Sequence, residues 1–166
     1  MSRIHRLLLS DRVFFVTANL HRTREHLKPD EYRHVAAAMN ESRRRLGFLL
    51  CGYVLMPDHW HALISTHYPL TISRAVQSIK WLSARALNAA RGASGPVWQH
   101  QFWDRFVRHQ KEFIARLDYM HLNPVRKGLA TRPEEWRWSS HNNFSLDKDQ
   151  AARCPIQIDV VRLPES

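Results

Sequence analysis

Cysteine is nearly missing from this 166-residue chain: Cys51 and Cys154 stand alone and far apart. Two isolated thiols exclude a disulfide framework or a zinc ribbon and fit a reducing, cytoplasmic setting. Lysine is scarce too, with 5 residues against 20 arginines, and the acids number only 15, so the net charge of +10 rests on guanidinium groups. Planar guanidinium forks suit bidentate phosphate contacts and stacking, which points to nucleic acid, and hence to the nucleoid, more than to a merely basic surface. Long apolar runs are absent. Leu7-Leu8-Leu9 follows Arg3 and Arg6 but is cut off by Asp11 and Arg12, too early for a signal peptide, and no stretch approaches a membrane span. There are no internal repeats, and the length suits one domain with a real core.

What the chain does contain centres on Tyr53-Val54-Leu55-Met56-Pro57-Asp58-His59-Trp60-His61-Ala62-Leu63-Ile64. Two apolar runs flank a Pro-Asp turn, and strand alternation after the turn puts His59 and His61 on one face with Trp60 and Ala62 on the other. Two neutral imidazoles one strand pitch apart can share a divalent ion. An alternating strand also carries two histidines by chance, so the spacing permits a metal site without proving one. A second stretch, Asp118-Tyr119-Met120-His121-Leu122-Asn123-Pro124-Val125-Arg126, places Tyr119 and Asn123 four apart on one helical face, a phenol nucleophile beside an amide oxygen ligand.

The remaining elements follow from periodicity and punctuation. Val13–Ala18 reads as a buried strand, a helix starts near Pro29-Asp30-Glu31 and stops at Gly47, and Phe48–Met56 with His59–Ser65 forms a hairpin. Arg43, Arg44 and Arg45 crowd that helix's last turn, where capping is as good a reading as a nucleic-acid contact. A long helix runs from about Thr71 to Arg91 with Gly92 as its stop; Ile72, Val76, Ile79, Ala86 and Ala90 form its apolar stripe. Arg74, Trp81 and Arg85 share its opposite face, where a tryptophan between arginines can stack a base, or can simply be covered by a loop. After short extended pieces from Val97 to His109 comes a last helix over Lys111–Asn123, with Phe113, Ile114, Leu117 and Met120 inward and Glu112, Arg116, Tyr119 and Asn123 along one flank. Pro124 is expected to end it, leaving Asn123 frayed and free to reach a ligand. The order strand, helix, hairpin, helix, strand predicts an α+β, ferredoxin-like fold, an antiparallel sheet with helices packed mainly on one face.

The Tyr53–Ile64 stretch, the Leu117–Leu129 stretch and Trp138-Ser139-Ser140 together resemble the REP-associated tyrosine transposases, relatives of the single-tyrosine HUH transposases of small bacterial insertion sequences. The resemblance spans roughly Val13 to His141. It implies a transposase domain over 1–141 followed by a polar tail over 142–166. It also implies a metal-dependent endonuclease and strand transferase on single-stranded, hairpin-forming DNA, typically repetitive extragenic palindromes, with a 5′-phosphotyrosine intermediate. By position Tyr119 matches the nucleophile, His59 and His61 the metal-binding pair, and Asn123 the third ligand, with magnesium or manganese as the ion. Arg74, Trp81, Arg85, Arg116 and Arg126 are the candidate DNA contacts, and the working form is a monomer or homodimer. Asp58 departs from the asparagine common before the first histidine. Two alternatives stand beside this reading: a catalytically silent hairpin-binding module derived from such an enzyme, and a protein whose His59 and His61 hold a structural zinc, against which the lack of cysteine partners speaks.

Overall fold

A strand of alternating β-branched and aromatic residues, β1 (Arg12–Asn19), lies inside the sheet with both of its faces covered. The computed structural model describes residues 12–165; the basic and apolar amino-terminal stretch read above lies outside them. After β1 come α1 (Tyr32–Leu46), β2 (Leu49–Leu55), β3 (His59–Thr66), α2 (Ile72–Arg91), β4 (Trp103–Val107) and α3 (Gln110–Arg126). The strands pair antiparallel in the order β2-β3-β1-β4, the ferredoxin-like arrangement expected from the element order.

Helices α1 and α2 cover one face. Trp60, Ala62 and Ile64 of β3 point to them, together with Val16, Ala18, Tyr53 and Leu55, in one core with Val35, Met39, Val76 and Ile79. The other face carries Val13, Phe15, Val54 and Leu63 and is covered by α3 through Phe113 and Met120. Gly52 seats that helix: a Cβ there would stand 2.7 Å from Leu117 Cδ1 and 3.1 Å from Met120 Cε. A bulge between Leu50 and Gly52 sets the register there.

The caps of α1 and α2 follow the glycines: Gly47 and Gly92 both take the left-handed conformation, at φ 77° and 60°. Pro29-Asp30-Glu31, expected in the first turn of α1, forms a turn just ahead of it, and Glu31 is drawn away from the helix dipole into a buried ion pair with Arg91. The apolar stripe of α2 is rotated from the expected one: Ala75, Val76, Ile79, Ser83 and Leu87 are buried while Ala90 is exposed. Ser83 is admitted because its hydroxyl donates to Ile79 O and accepts from Trp98 Nε1–H.

Three expectations are corrected toward the chain's end. Helix α3 does not stop at Asn123 but continues through Pro124 to Arg126. Its stop is a Schellman closure: Gly128, at φ 72°, donates to Val125 O and Leu129 donates to Pro124 O. Asn123 is therefore held in a regular turn and is 5% exposed rather than frayed. Ile114, expected inward, is 48% exposed. The residues after Asn142, expected as a polar tail, pack on the body. Ile156 is buried in the α1/α2 core, and Val161 and Leu163 lie against the other. Asp159 accepts from Leu50 N–H and pairs with Arg43, which closes the free edge of β2. Ser139 bridges Val54 on the same edge. Arg44 and Arg45 pair with Glu41 one turn before them, so the three arginines at the end of α1 all have ion-pair partners within the chain.

Candidate active site

Strand alternation carries His59 and His61 to the α3 face, where their ring centroids lie 4.7 Å apart. His61 is 5% exposed and sits opposite Thr17 of β1, whose Oγ1 is 2.7 Å from its Nδ1. Its Nε2 is buried with no hydrogen-bond partner among the described residues. Burial, then the neighbouring His59 and Arg116 charges, push its pKa down to about 3, so the ring is neutral at physiological pH. His59 donates from Nδ1 to Asp58 Oδ1 at 2.7 Å, which leaves its Nε2 as the lone-pair nitrogen. Burial pushes the Asp58 carboxyl up, but the bond from His59 and the charges of His59 and His26 outweigh it, and the net direction is down.

This donor arrangement fits a divalent ion. Each imidazole has one nitrogen engaged by an oxygen partner, the pattern that fixes tautomer and ring orientation in ligating histidines, and His61 presents an orphaned buried nitrogen. Among the described residues no three His, Cys, Asp or Glu side chains gather to hold a metal. A closed structural zinc site, with four such ligands, is not formed by them.

The α3 face supplies a phenol, Tyr119. The Tyr119 ring is 5.6 Å from that of His61 and 40% exposed, and the Arg126 guanidinium lies 5.6 Å from the Tyr119 ring centroid. Asn123 follows one turn later on the same flank. Phe15, not singled out from the sequence, is the floor that joins these parts. It stacks on His61 at 5.1 Å, meets Tyr119 edge-on at 6.1 Å, and carries the Arg116 guanidinium 5.0 Å above its ring. Its position was readable only as that of a strand residue two before Thr17, because its partners lie 46 and 104 residues away in the chain.

An open cleft of about 790 Å³ adjoins Tyr119 and is lined by Arg105, Arg108 and Arg116. Arg105 and Arg108, which the sequence offers as cations among aromatic residues suited to single-stranded nucleic acid, belong to this cleft. They stand on β4 and just after it, and only the pairing of β4 with β1 brings them beside α3. Of the other expected DNA contacts, Arg85 lies 4.6 Å over the Trp81 ring on the opposite side of the molecule. Arg74 lines a separate cleft with Tyr68 and Leu46, so the structure splits the five candidates into three groups.

Trp138-Ser139-Ser140 serves the frame rather than the chemistry. Ser140 Oγ accepts from Tyr53 N–H and is 2.8 Å from Nε2 of buried His121, which ties α3 to β2 two residues from Tyr119. Burial and the charge of His141 hold the His121 pKa down at about 3.

The chain is similar to known proteins in sequence and in fold. The family profile described as "Transposase IS200 like" matches residues 13–109, from β1 to just before α3. A REP-associated tyrosine transposase of Escherichia coli (strain K12) is 24% identical over 140 residues, covering 84% of this chain and 82% of the relative. A Haemophilus influenzae relative is 26% identical over 151 residues, covering 84% and 85%. A solved structure of the REP-associated tyrosine transposase bound to a REP hairpin superposes with a TM-score of 0.70 at 25% identity, over 92% of this chain and 86% of that one.

Proposed function

The chain belongs to the IS200-like transposase family, and from that premise we propose that it cuts and rejoins single-stranded DNA at hairpins of the REP type, with Tyr119 as the nucleophile. The observation that carries the reading is the meeting of a half-exposed phenol with an imidazole pair whose buried His61 Nε2 has no partner among the described residues. REP hairpins enter as substrate because the structural relative is bound to one. The strongly arginine-based charge gives such a substrate phosphate contacts.

In the forward step Tyr119 Oη forms a bond to phosphorus while the P–O3′ bond breaks. The phenolic proton leaves through the exposed side of the ring, and the departing 3′ oxygen takes up a proton from water, giving a 5′-phosphotyrosine and a free 3′-hydroxyl. Rejoining reverses these changes with another 3′-hydroxyl, so the bond energy is kept between the two strands. The Arg126 guanidinium beside the Tyr119 ring and that of Arg116 over Phe15 place two cations next to the phenol, where the DNA phosphates would lie. Phe15 and the Gly52 seat of α3 keep the ring in place over His61. A magnesium or manganese ion held by His59, His61 and Asn123, all neutral ligands that leave its charge intact, would supply Lewis-acid polarisation of a non-bridging phosphate oxygen.

The test is incubation of the protein with labelled REP-like hairpin DNA, with magnesium or manganese and with chelator. A covalent protein–DNA adduct is expected that needs metal and disappears in Tyr119→Phe and in His61→Ala. Binding without cleavage under every metal would replace this reading by the silent hairpin-binding module.

A further inference from the structure

Trp81 is 54% exposed in the middle of α2, whereas Trp60 and Trp98 are buried. No loop covers it. Instead it borders an open cleft of about 700 Å³ whose one wall is α2, through Gln77, Trp81 and Ala84, and whose other wall is the segment 96–102, through His100 and Phe102. An indole and a benzyl ring bordering one gap, with a guanidinium 4.6 Å over the indole, offer apolar faces and a positive charge to a flat ring attached to a phosphate.

The cleft is built to stay open. Lys80 Nζ donates to Gln99 O at 2.7 Å and to His100 O at 3.0 Å, and Trp98 Nε1 donates to Ser83 Oγ at 2.9 Å, so the far wall is fastened to α2 at three points. Arg24 fastens its start by donating to Ser94 O and Pro96 O. The Gln77 amide, by contrast, has no partner among the described residues, although it stands one turn before Trp81 on the same wall.

The cleft also communicates with the candidate active site. Gln99 N–H donates to Asn19 O, and Asn19 is the β1 residue paired with His59. His21 borders both this cleft and a second one that reaches Asp58, with Arg22 along the way. A strand leaving the His59 end of the sheet thus meets a basic path that rounds the sheet and ends at Trp81.

We propose that this cleft holds one unpaired base of the DNA that flanks the cleaved hairpin, stacked on Trp81, with Gln77 favouring adenine. An amide side chain can pair with the N6 and N7 edge of adenine in both directions, which thymine cannot match. The inference rests on the reading of the protein as a hairpin-DNA transposase, and adds to it a site away from Tyr119 that discriminates flank sequence.

The experiment is fluorescence-anisotropy titration, at one salt concentration, of a hairpin oligonucleotide whose short single-stranded flanks are dA, dT or abasic. The wild-type protein is expected to bind the dA flank about tenfold tighter than the abasic one, with dT between them. Trp81→Ala brings the dA-to-abasic ratio toward one, Trp81→Phe keeps it, and Gln77→Ala equalises dA and dT while both still exceed abasic. Circular dichroism melting checks that each variant folds. Equal binding of all three flanks by the wild type, or an unchanged ratio in Trp81→Ala, overturns the base-binding cleft. If covalent adduct at Tyr119 still forms in that case, only this inference is lost. If neither hairpin binding nor adduct is seen, the transposase reading falls with it.

Discussion

The two faces of the sheet are built from alternate residues of the same strands, yet they differ in what covers them. Two helices close the α1/α2 face, and Trp60, Ala62 and Ile64 are wholly buried there. One helix covers the other face, and beside it Trp103 stays 49% and Tyr119 40% exposed. A face covered once has room for a substrate, and a face covered twice has none. The consequence is that adjacent residues of β3 meet opposite surroundings: Trp60 is enclosed in the core, and His61 lies beside the half-exposed ring of Tyr119.

The sharpest way to break this comparison is to truncate those neighbours in turn. Trp60→Ala is expected to lose roughly 3–5 kcal/mol of stability by leaving a large cavity, read as a drop in urea midpoint. His61→Ala, which removes a smaller ring with its Thr17 bond and its stack on Phe15, is expected to cost less, about 2 kcal/mol, while eliminating covalent adduct. Equal stability losses would show that the α3 face is core like the other. Acidification probes the same face from a different side. His61 and His121 are buried neutral, with folded pKa values near 3 against an ordinary 6.5. Between those values the unfolded chain binds more protons, so stability present above pH 6.5 is lost as pH falls toward 3. At pH 5 the loss is roughly 2 kcal/mol per histidine. Denaturation midpoints at pH 7 and pH 5 measure it, and His121→Asn should remove about half the slope.

Smaller changes test how α3 is held. Gly52→Ala drives a methyl toward Leu117 and Met120, whose side-chain ends can give way, at a cost of roughly 1–2 kcal/mol. Because the shift displaces the helix bearing Tyr119, the adduct-forming rate should fall more than the melting temperature implies. Smallest of all, Asp58→Asn keeps an oxygen acceptor for His59 Nδ1 and should lower adduct formation by less than about tenfold, with melting unchanged. A complete loss there would mean that the carboxylate charge, rather than its hydrogen bond, matters to the histidine pair.

Much of this was legible in the chain because it depended on near neighbours. The His59/His61 face follows from strand alternation, the helix stops at Gly47 and Gly92 from glycine, and the pairing of Tyr119 with Asn123 from helical pitch. The reading failed where two local signals competed. Pro124 argued for an early stop of α3, but a proline can occupy a helix whose preceding turn tolerates the missing donor, and Gly128 four residues on set the actual end. It failed again where few residues carry a long-range contact. The polar composition after Asn142 hid Ile156 and Asp159, the anchors that bring that segment back onto the body. Phe15 and Thr17 could be seen as strand residues but not as parts of a site, since their partners come from β3 and α3.

The bond between Thr17 and His61 joins residues 44 positions apart, and that separation fixes an order of assembly. The β2–β3 hairpin closes over a few residues and can form within microseconds. It brings both histidines into alignment before anything holds His61 in its final orientation. Only when β1 enters between β3 and β4, a slower, non-local step, do Thr17 and Phe15 reach the imidazole. A histidine pair aligned by the hairpin alone still lacks the β1 partners that orient His61.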